Sequence, residues 1–282
     1  MAGPIRVYFD HNVVDHAVKR HKITDGQVDQ LRSIGKSGIF QLMLSITNLD
    51  EIIAGLQSRR PLRPEQAIEQ LRLIRDVIGF GHLLKPPDQL LTHALVDFAF
   101  DLPPRESVIV MPTAMREHLE RLADATRVEI EYATQIAAEV RGQIDENDEA
   151  LRRAREQALR ELEGRRPKQH FIPYWRDVAD GFAEGYAGHV GVWERCRERG
   201  MDRLLAVPCV AMAIGAAASM VYAKLVEGRA TDRGDSRDQA HAIAASTADI
   251  FVSNDDEFRR LLKRVPMIAP AVMSLEEFLA SS

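Results

Sequence analysis

Short apolar runs alternate with amphipathic stretches at both ends of the chain. Ile5–Phe9 is apolar and rich in strand formers, so it reads as a strand, with a helix from about residue 12 to 21. Residues 38 to 45, GIFQLMLS, read as a second strand. TNLDEIIAGL then reads as a helix capped by Thr47 or Asn48, with an acidic first turn that suits its dipole. Ala67, Ile68, Leu71, Ile74, Val77 and Ile78 recur at the helical period, and PPDQLLTHALVDFAF reads as a helix opened by prolines. Near the other end, DSRDQAHAIAAS reads as an Ala-rich helix and ADIFVS as a strand. NDDEFRRLLKRV reads as a helix, MIAPAV as a strand and SLEEFLA as a capped helix. Such alternation predicts an α/β fold around a central, mainly parallel sheet.

The middle has a different texture. Over residues 113 to 166 the apolar positions fall at intervals of three, four and seven, which predicts almost continuous helix. The expected organisation is therefore one α/β domain in two halves, 1–100 and 231–282, interrupted by a large all-helical insertion over 101–230. Charge segregates within that insertion, from the acidic EIEYATQIAAEVRGQIDENDE to LRRAREQALRELEGRRPK, which is basic on balance. One reading is a solvated face with stabilising i,i+4 pairs. The other is an arm facing nucleic acid, with Arg152, Arg153, Arg155, Arg165, Arg166 and Lys168 tracking phosphates. RRPKQHFIPYWRD breaks the helix at Pro167 and Pro173. Its Phe171, Tyr174 and Trp175 either anchor a loop to the core or stack single-stranded bases. The uncharged stretch from residue 204 to 223 is long enough for a membrane span, but its Ala and Gly content and Pro208 favour a buried helix.

Composition narrows the choices further. A chain of 282 residues with 45% hydrophobic content can bury one large core or two ordinary ones. The net charge of −5 gives no basic footprint to the whole chain, so a nucleic-acid partner needs a local basic surface. Cys196 and Cys209 fit neither a disulfide framework nor metal-ligand spacing, and no secretory leader is visible at residue 1. A reducing, cytoplasmic setting without membrane attachment is expected.

The chemistry gathers at strand ends. The first strand stops on Asp10, followed by His11 and Asn12, and ADIFVS runs into Ser253, Asn254 and Asp255. Glu51 lies just beyond the second strand, and Asp238 opens the helix before the last acidic strand. Each acid alone could be a helix cap or a first-turn charge. Asp256 and Glu257 read as dipole-compensating, Asp235 as a turn residue, and His11, His16 and His241 as structural histidines. Four carboxylates converging on one sheet edge would instead suit magnesium, which prefers oxygen ligands. Two carboxylates 4 Å apart repel by about 1 kcal/mol in water and roughly 4 kcal/mol at a protein surface, a sign that a dication reverses.

VYFDHNVV, LSITNLDEIIAG, DQAHAIAA, ADIFVSNDDEF and MIAPAVMSLEEFLA, in that order, resemble the ordered motifs of PIN-domain nucleases. The resemblance covers roughly residues 4 to 60 and 235 to 282. It implies a PIN-like three-layer fold and a metal-dependent endoribonuclease, with Asp10, Glu51, Asp238 and Asp255 holding Mg²⁺ or Mn²⁺. It further implies that Ser253 orients Asp10 and that Asn12 braces the loop. RNA would be the substrate, and members of the family are often toxins neutralised by an inhibitory protein partner; a homo-oligomer is compatible with the chain. His11 replaces the small hydroxyl residue usual after the first acid, and the helical insertion is foreign to the family pattern. Two alternatives stand beside this reading. A haloacid-dehalogenase-type phosphatase is suggested by GDSRD but lacks an acid at Asn12. A non-catalytic PIN-like scaffold would bind RNA or protein without cleavage.

Overall fold

The computed structural model describes residues 3–21, 23–56, 63–125, 170–229, 235–266 and 270–282, with isolated helical positions between 142 and 160. Most of the charged helix, including Arg152, Arg155, Arg165, Arg166 and Lys168, lies outside the described residues. In chain order come β1 (Ile5–Phe9), α1 (His11–Lys19), α2 (Asp25–Lys36), β2 (Phe40–Met43), α3 (Ile46–Leu56) and α4 (Arg63–Val77). They are followed by β3 (His82–Leu84), α5 (Pro87–Phe100), β4 (Val108–Val110) and α6 (Thr113–Ala123). Beyond residue 170 come α7 (Phe171–Val190), α8 (Trp193–Arg199), α9 (Met201–Leu205), α10 (Pro208–Glu227) and α11 (Asp235–Ala245). The chain ends with β5 (Ile250–Val252), α12 (Asp256–Lys263), β6 (Ala271–Met273) and α13 (Leu275–Ser281).

Four strands form one sheet in the order β2-β1-β5-β6, with every pair parallel. The expected mainly parallel α/β architecture is thus present. Residues of β1 alternate between faces, as a strand requires. Val7 and Phe9 pack with α1, α2, α4 and α13, whereas Tyr8 packs with α10, α11 and α12. Both faces are covered, which is why the strand sequences read as nearly continuous apolar runs. Beside β2, the Leu84 N–H donates to Leu44 O at 2.8 Å, and β3 pairs antiparallel with β4.

A second core joins α5, α7, α8, α9 and one flank of α10. Three details differ from the expected insertion. β4 lies inside the stretch expected to be wholly helical, because its β-branched Val108, Ile109 and Val110 pair with β3. α5, expected in the α/β half, packs into the helical core through Leu90, Leu91 and Leu95. α10 belongs to both bodies, with Val210, Ile214 and Ala218 facing the helical core and Met212, Ala216 and Met220 facing the sheet. A helix buried all round carries apolar residues all round. This explains the span-like stretch: its most apolar window is 83% buried inside the protein. Pro173 does not break a helix either. It lies in the first turn of α7, where no helical N–H is lost. Phe171, Tyr174 and Trp175 are buried, and the Phe171 and Tyr222 rings meet edge to face at 5.4 Å, so these aromatics serve the core rather than an exposed stacking surface.

α10 approaches the segment after α12 closely. A Cβ at Gly215 would stand 2.1 Å from Val265 Cγ1. Alanine ordinarily favours a helix interior over glycine by about 0.5–1 kcal/mol. Here Gly215→Ala is expected to destabilise by about 1–3 kcal/mol through overpacking, with Val265→Ala in the same chain restoring part of the loss. Urea unfolding checks this, and an unchanged or raised midpoint would contradict the close approach.

Candidate metal centre

β1 and β5 are neighbours, yet the chain leaves β1 for β2 on the other side. Their carboxyl ends therefore flank a reversal of strand order, where open α/β sheets leave a crevice for ligands. Asp10 stands there. Its N–H continues the ladder to Val252 O at 2.9 Å, and only 5% of the residue is exposed. It occupies the N-cap position of α1 but makes no side-chain cap bond, so capping does not account for its carboxylate. Instead Ser253 Oγ donates to Asp10 Oδ2 at 2.8 Å, and Asn12 Nδ2 donates to the same oxygen. Asn12 also donates to Ser253 Oγ at 3.1 Å and accepts the Asn254 N–H at 2.7 Å. Asp255 behaves differently. It is exposed, and its side chain accepts the Phe258 N–H at 2.9 Å, capping α12.

Glu51 comes from α3 (Ile46–Leu56), which begins two or three residues earlier than the expected caps imply. The cap is Ser45, not Thr47 or Asn48: Ser45 Oγ accepts the Asn48 N–H at 3.3 Å, while Asn48 Oδ1 accepts from the Ser45 N–H at 3.1 Å. This reciprocal pairing is a capping-box geometry with Asn at the third position. It moves Asp50 and Glu51 out of the first turn, which holds no acid. Glu51 points at α11. Arg237 Nη1 lies 3.2 Å from Oε1, and His241 Nε2 lies 2.9 Å from Oε2. The same Nε2 is 3.5 Å from Asp10 Oδ1. One ligand atom from each of Asp10, Glu51 and His241 lies within 4.8 Å of the others.

A chain of hydrogen bonds fixes the imidazole. Asn48 Nδ2 donates to Phe9 O at 3.1 Å, which turns Asn48 Oδ1 toward Ser45. The Ser45 hydroxyl spends its hydrogen on that oxygen at 2.8 Å. Tyr8, whose hydroxyl is 2.7 Å from Ser45 Oγ, must then donate to it. The Tyr8 oxygen is left to accept from His241 Nδ1 at 2.6 Å. Without a cation, the bond from Nε2 to Glu51 completes an imidazolium, because a carboxylate only accepts.

Electrostatics agree with this assignment. Burial pulls His241 down, but Asp10, the hydrogen bond and charge of Glu51, and Asp238 outweigh it and raise the imidazole to about 8. Burial pushes Glu51 up, yet His11, His241 and Arg237 together bring it down to about 2. Asp10 ends above its usual range: burial dominates, and the charge of Glu51 adds to it against His241 and Ser253. The two acids thus divide one imidazole unequally, with the closer Glu51 favoured. Asp50, next to Glu51, is raised to about 6 by burial and by that neighbour's charge.

Glu51 and Arg237 also line a cleft of about 1010 Å³ between α3 and α11 on one side and α5 and α7 on the other. Asp50, Asp88, Tyr186 and His189 line it too. Asp10 and Glu51 therefore meet, Asn12 and Ser253 hold Asp10, Asp238 contributes its field at His241, and Asp255 caps α12 while its N–H donates to Ser253 Oγ at 3.1 Å. His241, read from the sequence as structural, lies at the centre. The missed signal was its spacing: three positions after Asp238, it shares that helix face. The donors suit a divalent cation, since two carboxylates and an imidazole nitrogen converge without a fixed positive charge between them other than the one His241 itself can carry. Compared with known proteins, the chain matches no family model, no curated protein and no solved structure.

In metal-free protein, the stabilisation from His241 is complete below its ordinary 6.5 and is lost as pH rises through about 8. The shift corresponds to about 2 kcal/mol. Unfolding in chelator-treated buffer is expected to show this decline between neutral and alkaline pH, and His241→Gln is expected to remove it. A wild-type stability flat across that window would contradict the buried imidazolium.

Proposed function

We propose that this protein is a PIN-like, metal-dependent endoribonuclease that hydrolyses RNA phosphodiester bonds at the carboxyl edge of the sheet. The observation that carries the reading is the meeting of Asp10 and Glu51, from separate elements, in a buried group beside a cleft. The brace of Ser253 and Asn12 on Asp10 supports it, because a ligand carboxylate needs a fixed orientation. The parallel sheet with covered faces is compatible with the three-layer architecture of the motifs' family.

Asp10 and Glu51 would hold Mg²⁺ or Mn²⁺, with Asp238 adding negative charge nearby. When bound, such an ion polarises a phosphoryl oxygen and lowers the pKa of water that attacks in line. Arg237, whose buried Nε has no hydrogen-bond partner, offers a cation to a phosphate in the cleft. Asp50, held near 6, faces the same cleft with a proton available close to neutral pH for a departing alkoxide. Asn12 donates to Asp10 and is no acid, so that position lends nothing to the phosphatase alternative.

One observation favours the non-catalytic scaffold as the second reading. Glu51 is already satisfied inside the protein by His241 and Arg237. The two readings part in a single assay. Labelled single-stranded RNA with Mn²⁺ or Mg²⁺ is expected to be cut by the wild type, and Asp10→Asn is expected to lower the rate by more than about a hundredfold. RNA binding without cleavage would favour the scaffold, and equal cutting by both proteins would refute the assignment of Asp10.

A further inference from the structure

We infer that His241 Nε2 is itself a metal ligand, so that Asp10, Glu51 and His241 form a two-carboxylate, one-imidazole site that selects a transition-metal dication over magnesium. The inference rests on the reading of this group as a metal centre, and it departs from the four-carboxylate set that the sequence motifs imply. Nε2 stands 2.9 Å from Glu51 Oε2 and 3.5 Å from Asp10 Oδ1. Donor atoms around a tetrahedral or octahedral ion with bonds near 2.0–2.2 Å are spaced about 3–3.5 Å apart. The two separations from Nε2 already match that spacing, and the Asp10 and Glu51 oxygens lie within 4.8 Å of each other.

The imidazole is also oriented for the task. Hydrogen on Nδ1 is donated to the Tyr8 oxygen at 2.6 Å, which aims the Nε2 lone pair at the two carboxylates. Tyr8 is held in turn by Ser45 at 2.7 Å and by its stack on Phe251, with ring centroids 5.8 Å apart. Metal-ligating histidines characteristically spend their second nitrogen in this way, and the outer partner fixes the ring. The cation takes the position that the Nε2 proton holds in its absence.

Donor type and burial set the preference. Imidazole nitrogen suits zinc, iron, cobalt and nickel, whereas magnesium prefers oxygen and keeps several waters. Here His241 is 1% exposed and Asp10 5%, and of the three only Glu51 lines the open cleft. Water therefore reaches the group from the Glu51 side alone, which limits the shell that magnesium retains. Manganese, intermediate between the two classes, binds with the nitrogen included.

Calorimetry on the chelator-stripped full chain with Zn²⁺, Mn²⁺ and Mg²⁺ tests this, together with pulsed EPR of the Mn²⁺ form. Zn²⁺ is expected to bind at least about a hundredfold more tightly than Mg²⁺, and the Mn²⁺ spectrum is expected to carry a ¹⁴N coupling that His241→Gln abolishes. Tyr8→Phe, which keeps the ring packing, is expected to weaken Zn²⁺ by about tenfold and leave Mg²⁺ unchanged. Mn²⁺ binding that is lost in Asp10→Asn but shows no ¹⁴N coupling would overturn the role of His241 and leave the metal centre standing. Equal affinity for Zn²⁺ and Mg²⁺ would also overturn it. No binding of any dication would overturn the inference and the metal-centre reading together, whatever the RNA assay shows.

Discussion

Two carboxylates buried beside one imidazole, at the end of a parallel sheet, are the constraint on which the rest of this structure depends. Asp10 and Glu51 would repel each other by roughly 4 kcal/mol at 4 Å in a protein-like dielectric if nothing stood between them. His241 stands between them, 1% exposed. Breaking such a buried arrangement from one side typically costs about 3–5 kcal/mol, because a charge is left without its partner. β1, α3 and α11 must therefore meet within hydrogen-bond distance. That requirement accounts for the composition of the helices around them. Ala242, Ala244 and Ala245 of α11 pack with Ala216 and Ala223 of α10 and with Phe251 of the sheet. Small side chains let the helices settle deep enough on the sheet for His241 to reach the strand end.

Ser45 ties local structure to this centre. It begins α3 as a cap, closes the reciprocal bond with Asn48, and accepts the Tyr8 hydroxyl. Asn48 then reaches back to Phe9 O, one residue before Asp10. A helix start, a strand end and the tautomer of an imidazole are thereby coupled in one buried network. Such networks hold when every member is satisfied and lose most when one is removed. The fold is specified here by polar groups as much as by apolar ones.

The sequence made much of this legible, for reasons that can be traced to particular residues. β1 is found where the apolar run predicted it, because a strand buried on both faces leaves little ambiguity. β3 and β4 escaped notice: each has three residues and stands close before a helix opened by proline. Asp10 and Asp255 looked alike, each an acid after a strand. The structure separates them: Asp10 caps nothing and is buried, while Asp255 caps α12 from the surface. Only the depth of each position decides this, and a single sequence does not record depth. His241 was missed because magnesium chemistry, read from the acids alone, gives imidazole no role. Tyr8 was hidden as an ordinary strand aromatic until its partners were visible.

Electrostatics also bears on how the cleft would treat a polyanion. Among the described residues, its lining sets Asp50, Glu51 and Asp88 against the arginine Arg237, which is engaged with Glu51. A phosphodiester approaching the metal-free site meets acids, with Arg237 already committed to Glu51. A dication held by Asp10 and Glu51 would cancel their charge and weaken the hold of Glu51 on Arg237. The guanidinium would then be free for a phosphate oxygen, with the buried, unpartnered Nε beside it as a further donor. Asp50, already raised to about 6, adds less negative charge near neutral pH than an ordinary aspartate would. On the nuclease reading, the carboxylates would thus act as a gate as well as ligands, since a bound cation would offset the acids that otherwise repel an RNA backbone.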